Sequence, residues 1–101
     1  MQVVITGRHV TLTPREKEHL EKKAGKLTRY YDRIQRIDVL VEKTAAAFVV
    51  EVLVNAEHRL EFVATASADE VYAAMDAVMD KLERQLSSHK ERFRNRKHPK
   101  R

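Results

Sequence analysis

In the stretch EKKAGKLTRYYDRI, Lys22, Lys26, Arg29 and Arg33 recur at offsets of four, three and four. That is the spacing of one helix face. A row of cations suits the binding of a polyanion. Each ammonium or guanidinium that reaches a phosphate releases condensed counterions, so binding is tight and falls steeply with salt. A second set lies near the C-terminus. Lys81, Arg84, Gln85, Ser88 and Arg92 share about 100° of arc if that segment is helical, and Asp76, Asp80 and Glu83 fall on the opposite flank.

Other chemistries lack their residues. There is no cysteine, which excludes thiolate catalysis, disulfides and thiolate zinc sites. The histidines His9, His19, His58, His89 and His98 show no HExxH or other ligand spacing, so no metal or other cofactor is expected. Asp76 and Asp80 sit one helical turn apart, where pairing with Lys or Arg is the simpler role than acid–base work. No phosphate-binding glycine loop or nucleophile elbow occurs, and no small-molecule substrate is indicated; the sequence reads as no enzyme. The GXXG loop of a KH domain is absent, since the only glycines are Gly7 and Gly25. Val49, Glu51, Leu53 and Asn55 stand where an RRM would present stacking aromatics.

The elements that must hold these cations read clearly. A chain of 101 residues is one domain with a core of its own. Gln2 to His9 predicts a strand. TPREKEHL predicts a helix start, with Thr13 as cap, Pro14 in the first position and Glu16 closing a capping box; the helix is expected to run to about Tyr31. RIDVLVEK, AFVVEVLVNAE and RLEFVATAS alternate with period two and predict an antiparallel meander. Ile37, Val39, Val41, Phe48, Val50, Val52, Val54, Leu60, Phe62 and Ala64 belong to its buried face. Leu40, Val49, Leu53 and Val63 form a modest apolar patch on the other. A second helix starts near Ser67 or Asp69, with Ser67 and Glu70 as a further capping box, and its periodicity persists into the low nineties. The expected fold is α+β, in the order β-α-β-β-β-α, with a four-stranded sheet and two helices side by side on one face. Residues 1–93 form the domain and 94–101 a basic flexible tail.

Net charge is +5, unevenly distributed. Residues 15–36 carry eight basic and four acidic side chains, 37–80 two basic and nine acidic, and 81–101 nine basic and two acidic. Two basic elements separated by an acidic middle suggest cationic helices brought together by folding. The expectation is that the basic flank of the second helix turns toward the first, and that the groove between them is the floor of one cationic surface. Three readings compete. The first is a shape-reading RNA binder, and the second a generic double-stranded RNA-binding module, whose α-β-β-β-α order is similar. The third is a protein-interaction module that uses the open apolar side of the sheet. No apolar run has the length of a membrane span and no signal peptide is predicted, so a cytoplasmic location is expected.

MQVVITGRHVTLT, KKAGKLTRYYDRI and above all DEVYAAMDAVMDKLERQLSSHK resemble the ribosome hibernation promoting factor family, which includes the ribosome-associated inhibitor. The resemblance spans residues 1 to about 93. It implies a factor that occupies the mRNA and tRNA channel of the small ribosomal subunit in stationary or stressed cells and silences translation. Contacts would be mainly to rRNA, with ribosomal proteins as further neighbours. Matching positions are Lys22, Lys23, Lys26, Tyr30, Arg33, Lys81, Arg84, Gln85 and Lys90, to which the charge pattern adds Arg29 and Arg92. Gly25 also fits the family pattern and is read as allowing close approach. The chain shows no second, dimerising domain and its last residues are basic, so the short hibernation-promoting type is expected. Pairing of ribosomes would then need a helper factor.

Overall fold

Thr13 and Glu16 close the first helix as their spacing predicts. The Thr13 hydroxyl accepts from the Glu16 amide at 3.1 Å, and the Thr13 amide donates to the Glu16 carboxylate at 2.9 Å. A computed structural model describes the backbone of residues 1–97 and the side chains of residues 1–89. Its elements are β1 (Gln2–Arg8), α1 (Pro14–Gly25), β2 (Ile34–Lys43), β3 (Phe48–Ala56), β4 (Leu60–Ala68) and α2 (Val71–Lys97), with 3-10 turns at Lys26–Arg29 and Glu57–Arg59. The sheet order is β1-β2-β3-β4. β1 runs parallel to β2, and α1 fills the crossover that a parallel pair requires; β2, β3 and β4 form an antiparallel meander.

One face of the sheet is buried. Ile37, Val39, Val41, Val50, Val52, Val54 and Ala64 pack in one cluster with Leu20, Ala24 and Leu27 and with Met75, Val78, Leu82 and Leu86 of α2. Both helices therefore cover the same face, α1 over β1 and β2, α2 over β3 and β4. A register shift between Ile34 and Arg36 lets Ile34 and Ile37 both point inward, which strict alternation would forbid. The opposite face carries Leu40, Val49 and Leu53 half-buried and Val63 49% exposed, as the alternation predicts.

Three boundaries differ from the sequence reading. The α-helix stops at Gly25, not near Tyr31, and continues as a 3-10 turn in which the Thr28 hydroxyl donates to the Gly25 carbonyl at 2.9 Å. Leu27 is fully buried in this geometry. Its burial therefore could not distinguish 3.6 from 3.0 residues per turn over a single turn. Ser67 lies in β4, so the second capping box does not form and α2 begins at Val71. The α2 backbone continues to Lys97, beyond the low nineties to which its apolar periodicity reaches. Residues 98–101 of the expected tail, and the side chains of Lys90, Arg92 and Phe93, lie outside the described residues.

Gly25 has φ −61°, and a Cβ built there meets nothing within 4 Å. No close approach within the fold requires it. Gly25→Ala should therefore raise stability by about 0.5–1 kcal/mol, chiefly by removing unfolded-state freedom. A urea titration would read this as a higher midpoint at unchanged slope.

Candidate nucleic-acid interface

The cations of α1 and the turn after it fall into two groups. Lys22, Lys26 and Arg29 are exposed, and so is Arg15 one turn earlier. None of the four enters an ion pair of the described residues. Lys23 and Arg33 do. Lys23 Nζ lies 3.3 Å from Asp76 of α2, and Arg33 Nη1 donates to Glu57 Oε1 at 2.9 Å. Hydrogen bonding to Glu57, together with its charge, holds the Arg33 guanidinium above its ordinary pKa, so it stays cationic. Arg33 is not on the helix at all; it precedes β2 in the turn that follows the 3-10 segment. Arg36, the last cation of the basic segment, pairs with Asp38 on β2 at 3.0 Å.

The second helix is rotated opposite to the expectation. Its acidic flank faces α1: Asp76 meets Lys23, and Tyr72 packs edge-on against His19 with ring centroids 4.7 Å apart. Further along, Tyr30, Asp80, Glu83, Arg84 and Ser87 line one shallow cleft. The groove between the helices thus mixes Asp76, Asp80 and Glu83 with Lys23 and Arg84, and the flank of Lys81 and Gln85 does not face it. That flank hangs over β4. Lys81 Nζ donates to the Thr65 carbonyl at 2.6 Å, and Gln85 Nε2 donates to the Val63 carbonyl at 2.9 Å.

The physical reason is the position of α2 on the sheet. The stripe of Val71, Met75, Val78, Leu82 and Leu86 must face the core. Because α2 covers β3 and β4, one of its flanks meets α1 and the other meets the edge strand. β4 is that edge, and every other carbonyl along it has no neighbouring strand. Lys81 and Gln85, four residues apart on one face, supply donors to two of these carbonyls. Arg84 lies between the flanks and is exposed.

The sequence-derived residues therefore occupy different surroundings. Lys22, Lys26, Arg29 and Arg84 are exposed, Tyr30 is half-buried beside Arg84, and Lys23 and Arg33 are held by carboxylates. Lys81 and Gln85 are engaged by the sheet edge. Sequence reasoning missed Glu57, which positions Arg33, because the two are far apart in the chain and meet only through the pairing of β2 with β3. Among the described residues, no group of three or more His, Cys, Asp or Glu side chains could hold a metal ion, and no helix is long and apolar enough to cross a membrane.

Comparison with known proteins adds independent information. Residues 3–94 match the model of the family described as sigma 54 modulation protein / S30EA ribosomal protein. The chain is 38% identical over 96 residues to the ribosome hibernation promoting factor of Escherichia coli K12, covering 93% of this chain and 98% of that protein. It is 35% identical over 101 residues to the ribosome hibernation promoting factor of Azotobacter vinelandii, covering 91% and 85%. The fold is similar to a ribosomal subunit interface protein from Coxiella burnetii, with a TM-score of 0.79, 31% identity and coverage of 90% and 99%. It also matches the N-terminal domain of Thermus thermophilus Protein Y, with a TM-score of 0.78 at 24% identity, a likeness of fold.

Proposed function

This chain belongs to the sigma 54 modulation protein / S30EA ribosomal protein family, and from that premise we propose that it is a ribosome hibernation factor acting by occlusion. It binds the small ribosomal subunit in the channel that mRNA and tRNA use, and so silences translation without a catalytic step. The observation that carries the reading is the identity to hibernation promoting factors along nearly the whole chain. The charge pattern supports it in a narrower form than the sequence suggested. The contact to rRNA phosphates rests first on the exposed Lys22, Lys26 and Arg29, with Arg84 beside Tyr30 across the cleft. Lys23, Arg33, Lys81 and Gln85 contribute after exchanging an internal partner for a phosphate or while keeping it. Lys90 and Arg92 belong to the same proposed contact set.

Rigid helices that meet phosphates read shape over sequence. Binding should therefore depend on the folded subunit and weaken linearly in the logarithm of salt concentration. The test is co-sedimentation of the purified chain with purified small subunits, with an unrelated A-form duplex as competitor. The expected result is a saturable complex that excess duplex does not displace. Equal competition by the duplex would favour a generic double-stranded RNA-binding module. No complex at low salt would end the ribosome reading. Ribosome dimers formed by the purified chain alone would show that no helper factor is needed.

A further inference from the structure

We infer that the tip of the β3–β4 hairpin, His58 and Arg59, is a second phosphate-contacting element that extends the cationic surface beyond the helices; this rests on the ribosome-binding reading above. The observation is conformational. Ala56 and Leu60 pair across the sheet, leaving Glu57, His58 and Arg59 as the connection. His58 has φ 65° and Arg59 φ 60°, so two consecutive residues with side chains adopt the left-handed region. Turns that need this conformation favour Gly or Asn, because a Cβ crowds the backbone there. Asn55 stands nearby in β3 but not in the turn. Left-handed residues that are neither Gly nor Asn persist where the surroundings hold them and the side chain has a use.

The surroundings do hold this tip. The Glu57 amide donates to the Arg33 carbonyl at 3.0 Å, and the Glu57 carboxylate accepts from Arg33 Nη1 at 2.9 Å. The hairpin is thereby fastened, through main chain and side chain, to the segment that carries Lys26, Arg29 and Arg33. His58 and Arg59 are exposed, and neither enters an ion pair of the described residues. The anchor therefore sets Arg59, two residues after Glu57, beside the segment that carries Arg33, four residues after Arg29. Arg59 is the one cation of residues 37–80 apart from Lys43, and it follows by two residues the Glu57 that is bonded to Arg33. A guanidinium on a rigid, outward turn can reach a phosphate with little ordering cost.

The test compares the full unsubstituted chain with Arg59→Asn, which removes the charge but tolerates the left-handed backbone, and with Arg59→Lys, which keeps the charge. Each is titrated with purified small subunits across about 50–300 mM salt, and each is melted alone. Arg59→Asn should melt at or above the parent temperature, bind about five- to tenfold more weakly, and show a salt slope smaller by about one. Arg59→Lys should recover most of the affinity and the slope. Unchanged affinity in Arg59→Asn, or a loss with the slope unchanged, would overturn the inference while the ribosome reading stands. Absence of binding by the unsubstituted chain would remove that reading, and this inference with it.

Discussion

Reversing Lys22, Lys26 and Arg29 together to glutamate should lower affinity for the small ribosomal subunit by about a thousandfold or more at ~0.1 M salt, and reduce the salt slope by about three. All three side chains are exposed, and none is paired with a carboxylate among the described residues. Their charge is therefore available to a phosphate without first breaking an internal contact. One lost phosphate contact is worth roughly a factor of ten, and a carboxylate in its place adds repulsion. The same reversal at Lys23 or Arg33 is less informative. It would place two carboxylates together, at Asp76 or at Glu57, and disturb the contact between the helices or the hairpin anchor. Lys81→Glu would remove the donor to the Thr65 carbonyl and put a negative charge at the sheet edge. The triple reversal should leave the far-ultraviolet dichroism spectrum unchanged, because exposed surface substitutions shift stability by a few tenths of a kcal/mol. Binding within about threefold of the parent would show that these cations are a solvated face and nothing more.

Leu82→Ala should destabilise the domain by about 3 kcal/mol and lower the melting temperature by roughly 12–24 °C. Leu82 is fully buried, one helical turn from Val78 and Leu86, in the cluster that joins α2 to the sheet. Truncation removes transfer free energy and leaves a cavity that neighbours from both helices and the sheet can fill only in part. Leu53→Ala is the matched control. Leu53 is half-buried on the open face and belongs to no core cluster, so its loss should be under about 1 kcal/mol. Similar costs for the two substitutions in a denaturant titration would mean that the open face is as well packed as the core.

The strands and their faces were legible from the residues because a half-buried strand repeats every two residues, and only one face of this sheet is covered. Val50, Val52 and Val54 inward, with Val49, Glu51, Leu53 and Asn55 outward, needed no tertiary information. The capping box at Thr13 was legible because it is closed within four residues. The end of α1 was not. Leu27 is buried whether the turn is α or 3-10, so hydrophobic spacing carries no signal of the change. Ser67 illustrates a competing principle, since a residue suited to cap a helix serves equally on the exposed side of a strand, and pairing with Val49 decided the matter. Of the site residues, the exposure of Lys22 followed from its distance around α1 from Leu20 and Ala24, whereas Lys26 and Arg29 are exposed on a 3-10 turn that α-helical spacing does not describe. The partners of Lys23, Arg33, Lys81 and Gln85 are contributed by other elements and have no local signature.

Read alone, the chain determines which side chains share each helix face, how the strands alternate, and how far its likeness to hibernation factors extends. Those properties depend on backbone periodicity and on residue identity, both of which are local. Tertiary structure decided which flank of α2 looks at α1. An apolar stripe sets the rotation of a helix against the sheet, but the flanks on either side of it are equivalent until the helix has a place and a direction above particular strands. With α2 over β3 and β4, the flank of Asp76 meets Lys23 while Lys81 and Gln85 meet the open carbonyls of β4.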